Sequence, residues 1–228
     1  MTKSKTELAP ADEGFSLISN RKLLTLYAAM VECRRIAEGV RKRSGSKVAG
    51  SLLGQEAAAV GAAIDLLAQD TVSAAHWPEE ALKTINPFVS NSSSASPAAS
   101  AARADREGRK ITMLFSSSKQ VAQPSWLRAL TLAAEHNLPI LFVSITPQTA
   151  ASNPLATETI PTKRRRYAFP SISVDGHDVV AVYRVASEAI THARKGHGPT
   201  LIDCRTTGSG DSIENMRKYL SGKGLYPA

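Results

Sequence analysis

The sequence predicts a three-layer α/β domain built on a mainly parallel sheet, and two stretches carry that prediction. Leu138 to Ile145 is a near-continuous apolar run of strand length, as expected of a strand buried on both faces of a parallel sheet. Pro199 to Cys204 repeats the pattern near the C-terminal end. Each run follows a segment of helical period, and alternation of strand and helix implies parallel pairing through right-handed crossovers. With 228 residues, 43% hydrophobic and 21% charged, the chain can bury a core of its own without disulfides.

Residues 1–19 are polar and aperiodic, the pattern of a flexible arm. Residues 20–228 read as one domain. Asn20 is placed to cap a helix from Arg21 to about Lys42, with Leu23, Leu24, Tyr27, Met30, Val31 and Ala37 on its inner face and Arg34 at the edge. A second helix, Gln55 to Leu67, is alanine-rich on nearly all sides, which suits burial among several neighbours. Gly54 and Gly61 would let another backbone come close. The stretch around 86–102 is rich in serine and alanine and reads as a flexible linker.

Ile111 to Phe115 is the next strand, followed by a turn at Ser116-Ser117-Ser118-Lys119. Pro124 opens a helix at its first position, where proline gives up no hydrogen bond. Trp126, Leu127, Ala129, Leu130, Ala133 and Ala134 form its apolar face, and Asn137 ends it. Residues 150–168 read as a loop with the basic run Lys163 to Arg166. Ile172 to Val174 is a short strand. Asp178 caps a helix from Val179 to about Arg194, and Asp211 or Ser212 caps a last helix to about Leu220.

Charge and composition narrow the function. The formal net charge is +8, yet aromatic residues make up only 5% and do not interleave with the basic clusters, so a nucleic-acid stacking platform is disfavoured. No apolar run approaches the roughly 20 residues of a membrane span, and the N-terminus has no signal-peptide core; we expect a cytoplasmic protein. Cys33 and Cys204 lack metal-ligand spacing and sit in apolar surroundings, as reduced buried thiols do. His76, His136, His177, His192 and His197 are dispersed along the chain and read as surface or capping residues. There is no glycine-rich phosphate loop and no nucleophile elbow. From the residues alone, no catalytic set emerges.

Several local patterns stand together in one order. Met30 and Arg34 are followed by Gly54-Gln55-Glu56-Ala57, Val60-Gly61 and Asp70. Then come Ala129-Leu130, Ala133-Ala134, Leu138-Pro139 and Phe142-Val143, and after them Val174-Asp175-Gly176-His177-Asp178-Val179, Gly198 to Asp203, and Ile213 to Leu225. This series resembles the alpha subunit of thiamine-diphosphate-dependent 2-oxo-acid dehydrogenases of the pyruvate and branched-chain type. The resemblance implies the thiamine-diphosphate-binding fold. It also implies assembly, as a homo- or hetero-oligomer, with a beta-type or alpha-type dehydrogenase subunit. The implied activity is oxidative decarboxylation of a 2-oxo acid, with acyl transfer to lipoamide.

The departures fall on the chemistry. The family holds the cofactor's diphosphate through magnesium, with an Asp from a Gly-Asp-Gly turn and an Asn from the following helix. Counted back from Ala129-Leu130, the turn falls on Ser117, Ser118 and Lys119, and the Asn position on Thr131. A neutral hydroxyl is a poorer magnesium ligand than a carboxylate, and a neighbouring lysine repels the ion. His76-Trp77 replaces the family's diphosphate-directed Arg, and the family's Gly-His-Ser loop is missing between Arg205 and Asp211. These changes argue against metal-linked cofactor binding and for a non-catalytic scaffold or regulatory homologue. An alternative is an active component with a rebuilt, metal-independent site in which Lys119 contacts the diphosphate. A third reading is a basic anion-binding module using Arg164, Arg165 and Arg166.

Overall fold

The computed structural model describes residues 18–44, 53–74, 77–88, 90–91, 96–104, 110–117, 120, 123–148, 170–207 and 210–226. In chain order the elements are α1 (Asn20–Ser44), α2 (Glu56–Ala63), β1 (Thr71–Ser73), α3 (Glu79–Ile85), β2 (Ser90–Asn91) and α4 (Pro97–Ala102). There follow β3 (Thr112–Ser117), α5 (Pro124–Glu135), β4 (Ile140–Gln148), β5 (Ser171–Asp175), α6 (Val179–Arg194), β6 (Thr200–Thr207) and α7 (Ser212–Gly222). The strands form one six-stranded sheet in the order β2-β1-β3-β4-β6-β5, with every pairing parallel. The α/β class read from the apolar runs is therefore correct.

The sheet divides the core in two, because alternate strand residues point to opposite faces. Met113, Val143, Ile145, Ile202 and Cys204 face α1, α2, α3, α6 and α7. Leu114, Phe142 and Leu201 face α4 and α5. On that second face Trp126 meets Phe142 edge-on, with centroids 5.3 Å apart. Such a pair adds about 0.5–1.5 kcal/mol to the burial of its area.

Several predicted boundaries hold. Gln123 and Pro124 open α5, Asp178 accepts the N–H groups of Val180 and Ala181 at the start of α6, and Asp211 does the same for Ile213 and Glu214 at α7. Gly61 gives the expected close approach: a Cβ there would lie 2.9 Å from Val182 and 3.0 Å from the Val179 carbonyl. Gly54 has another role, with nothing within 4 Å of a Cβ and a φ of +78° that the turn before α2 requires.

Other expectations need correction. The cap of α1 is Ser19, whose Oγ accepts the Lys22 N–H at 3.2 Å, and Asn20 is already helical. Its buried stripe runs Leu23, Leu26, Met30, Cys33 and Ala37, whereas Leu24 and Val31 are about 40% exposed. Leu24 follows Leu23 by only one step of the helix, and one step turns a side chain far off the buried line. Helix α2 stops at Ala63 because the Asn86 amide takes the carbonyls of Ala63, Ile64 and Leu66. The stretch read as a linker holds β2 and α4, with Ser96 capping α4 by accepting the Ala99 N–H at 3.2 Å. Residues 1–17 of the expected arm lie outside the described residues. Among the described residues no helix is long and apolar enough to cross a membrane.

Candidate functional site

The chain leaves β1 towards α3 on the first face of the sheet and leaves β3 towards α5 on the second. That divergence makes the carboxyl ends of β1 and β3 a topological switch point, the place where open α/β sheets bind ligands. β3 runs on through Ser116 and Ser117, so these two residues are strand and not the expected turn.

Ser117 ends β3 and is exposed. Its backbone N–H donates to Gln120 Oε1 at 2.9 Å, and its hydroxyl donates to the same oxygen at 3.3 Å. The donors at this strand end are thus turned onto the chain itself. Ser116, one residue earlier, is 7% exposed, and its Oγ has no hydrogen-bond partner. On the first face, Trp77 packs onto Phe115 with ring centroids 4.2 Å apart and planes at 46°. The Trp77 N–H donates to the Ala74 carbonyl at 3.2 Å, which fixes the turn after β1. The contact leaves Trp77 only 9% exposed beside this strand end.

Ser118 and Lys119 lie outside the described residues, as do His76 and the run Lys163 to Arg166. Thr131 is half-buried on α5, seven residues beyond Pro124. At 1.5 Å per residue it sits roughly 10 Å along the helix from Pro124.

The described groups at this strand end do not by themselves fit a magnesium diphosphate. Such an ion asks for carboxylate or phosphate oxygens in octahedral array. The described switch point offers hydroxyls, an amide and an indole–phenyl pair. The buried carboxylate Asp203, on β6, is already held by the Thr146 hydroxyl at 2.7 Å and by Arg205 Nε at 3.1 Å. Among the described residues no three His, Cys, Asp or Glu side chains form a metal-ligand group.

The family-like carboxylates do other work. Glu56 is fully buried in α2 and takes a two-pronged ion pair from Arg34 of α1, at 2.9 and 3.1 Å. The same guanidinium reaches Asp211 at 2.8 Å, so one Arg joins α1, α2 and the start of α7. The Glu56 bond raises the Arg34 pKa further above its ordinary value, against the effect of burial and with help from Asp211. Arg34 in turn holds the Asp211 carboxyl below its usual range, assisted by the Glu214 and Ile213 N–H groups and opposed by burial. Asp70, also fully buried, accepts the N–H groups of Leu67 at 2.7 Å and Ile111 at 2.8 Å and pairs with Arg194.

His177 corrects the reading of every histidine as superficial. It is 5% exposed. Its Nε2 lies 3.0 Å from the Thr207 N–H and 2.9 Å from the Thr207 carbonyl, and its Nδ1 lies 3.3 Å from Ser212 Oγ. The ring links the end of β6 to the start of α7. Cys33 and Cys204 are free and buried, and burial, the main cause, pushes both thiols up to about 12. Sequence reasoning missed the Arg34 network, although a lone Glu in an otherwise apolar helix signals a buried cation partner. For the Trp77–Phe115 contact the sequence carries no local signal.

Comparison with known proteins gives a consistent answer. The model of the dehydrogenase E1 component family matches residues 79–208. The chain is similar to the alpha subunit of acetoin:2,6-dichlorophenolindophenol oxidoreductase of Bacillus subtilis, 34% identical over 105 residues, which are 44% of this chain and 32% of that protein. It is also similar to the alpha subunit of 3-methyl-2-oxobutanoate dehydrogenase of Mycobacterium tuberculosis, 36% identical over 143 residues, 51% of this chain and 39% of the relative. A pyruvate dehydrogenase E1 component subunit alpha of Acholeplasma laidlawii is 33% identical over 105 residues, 44% of this chain and 30% of its own length. The chain therefore spans about a third of the length of these relatives.

Proposed function

This chain belongs to the dehydrogenase E1 component family, and from that premise we propose that it is a shortened alpha-type subunit that keeps the family framework without the metal-bound cofactor site. On this reading it is a non-catalytic scaffold or regulatory homologue, and it joins a second E1-type subunit, of beta or alpha kind, in a reducing compartment such as the cytoplasm.

The observation that carries the reading is the packing at the switch point. Trp77 packs on Phe115, and Ser117 is closed onto Gln120, where a magnesium diphosphate would need anion-facing donors and a carboxylate. On this reading the family positions Ser117, Ser118, Lys119 and Thr131 hold no metal; Ser117 ends β3 and Thr131 lies on α5. The motifs that carry the resemblance support the same view. Glu56, Asp70, Asp178 and Asp211 are engaged in ion pairs and helix caps. Framework residues need to persist for the fold to persist, whereas site residues do not.

Affinity purification of the tagged chain from native extract, with mass spectrometry of what co-purifies, tests the partner. A stoichiometric E1-type subunit is the expected result. A chain recovered alone, or with proteins unrelated to 2-oxo-acid dehydrogenases, would remove the subunit reading.

A further inference from the structure

Helix α6 ends in a Schellman turn. Gly196 takes φ +78°, its N–H bonds to the Ala193 carbonyl at 3.0 Å, and the His197 N–H reaches back to the His192 carbonyl at 3.3 Å. The side chains on the two sides of such a turn meet, and that contact is ordinarily apolar. Here it is made by two imidazoles, His192 and His197, stacked with centroids 4.7 Å apart and planes at 29°. Both line a surface depression of about 410 Å³ with Glu188, Thr191 and Lys195. Glu188 precedes His192 by one turn, at the i, i+4 spacing that puts two side chains on one helix face. The family reading uses none of these groups.

We propose that His192 and His197 form a surface site for a borderline divalent transition-metal ion of the zinc or nickel class, with Glu188 and water completing its shell. Imidazole is a preferred ligand of these ions. Two nitrogens about 2.0–2.1 Å from a tetrahedral ion stand roughly 3.3 Å apart, which small rotations of a stacked pair can supply. The last carbonyls of α6 add the negative end of the helix dipole. Among the cations nearby, Arg194 is paired with the buried Asp70, and Lys195 is exposed on a flexible stem that can swing clear. Among the described residues no three such side chains already stand together as ligands, so Glu188 must swing in to join the two histidines. Binding would clamp the end of α6 that Arg194 anchors to the base of β1.

The test uses the full chain with its purification tag removed, at pH 7.5. Nickel chloride is titrated against magnesium chloride, reading melting temperature and calorimetric affinity, for the wild type, H192Q, H197Q and E188Q. Nickel is expected to raise the melting temperature and magnesium to leave it unchanged. The nickel affinity should fall at least tenfold in each histidine variant and by less in E188Q. His197 is exposed, so H197Q should melt like the wild type without metal, which separates a lost site from a lost fold. No nickel effect on the wild type, or an equal effect on wild type and both histidine variants, overturns the proposal.

Discussion

Asp70→Asn should be among the most damaging single-atom changes this chain can suffer. Asp70 is fully buried, and three donors converge on it: the Leu67 N–H, the Ile111 N–H and the Arg194 guanidinium. An asparagine oxygen can keep one N–H, but its NH₂ then faces the remaining donors. Loss of a charge-assisted hydrogen bond costs about 1.5–3 kcal/mol. Breaking a buried ion pair from one side costs about 3–5 kcal/mol, and the lower part of that range applies because Arg194 is 22% exposed. The terms overlap, so we expect a total of about 3–5 kcal/mol, a large share of an ordinary domain's stability of about 5–15 kcal/mol. Arg194→Met leaves the fully buried Asp70 carboxylate with its two N–H bonds but without a cation, and should cost a comparable amount. Urea unfolding followed by circular dichroism measures both, with an unchanged slope showing that the folded state is the same. A loss below about 1 kcal/mol for Asp70→Asn would refute the view that the retained carboxylates hold the framework.

Three further outcomes are expected. Asp211 caps α7 and binds Arg34, which depress its folded pKa. Its contribution is therefore present above the unfolded value of about 3.9 and lost as pH falls through the folded one. Asp211→Ala should cost about 1 kcal/mol in urea unfolding at neutral pH, and the gap from wild type should close as the solution is acidified below the usual carboxylate range. Gly210→Ala would place a Cβ 2.4 Å from the His177 ring, and it should destabilise by about 1–3 kcal/mol in the same assay. A thiol reagent at pH 8 should leave Cys33 and Cys204 unmodified in the native chain and label both in urea, since burial pushes each up to about 12.

The sequence was most legible where structure is local. Asp178 and Asp211 announce helix starts because a cap bonds to N–H groups two and three residues on, and Pro124 does so because proline fits the first helical position without losing a hydrogen bond. Leu138 to Ile145 announces a central strand because both of its faces must be apolar. Helix α4 had a local signal as well, Ser96 followed by Pro97, but the serine-alanine composition around it hid the cap. What stayed illegible depends on distant partners. Helix α2 ends where Asn86 collects its carbonyls, and Arg34 finds Asp211 across 177 residues of chain. The buried state of His177 depends on Thr207 and Ser212. At the candidate site the sequence ended the strand at Phe115, two residues short of its actual end at Ser117. It could not show that Trp77 packs onto Phe115 or that Ser117 closes onto Gln120, since neither contact follows from spacing alone.

The account turns on whether the switch point still takes the family's cofactor. Calorimetric titration of the purified chain with thiamine diphosphate and magnesium decides it most directly. The Trp77–Phe115 packing and the closure of Ser117 onto Gln120 predict no saturable heat. Saturable, magnesium-dependent binding at micromolar affinity would contradict the account and restore a working cofactor site at the serine turn.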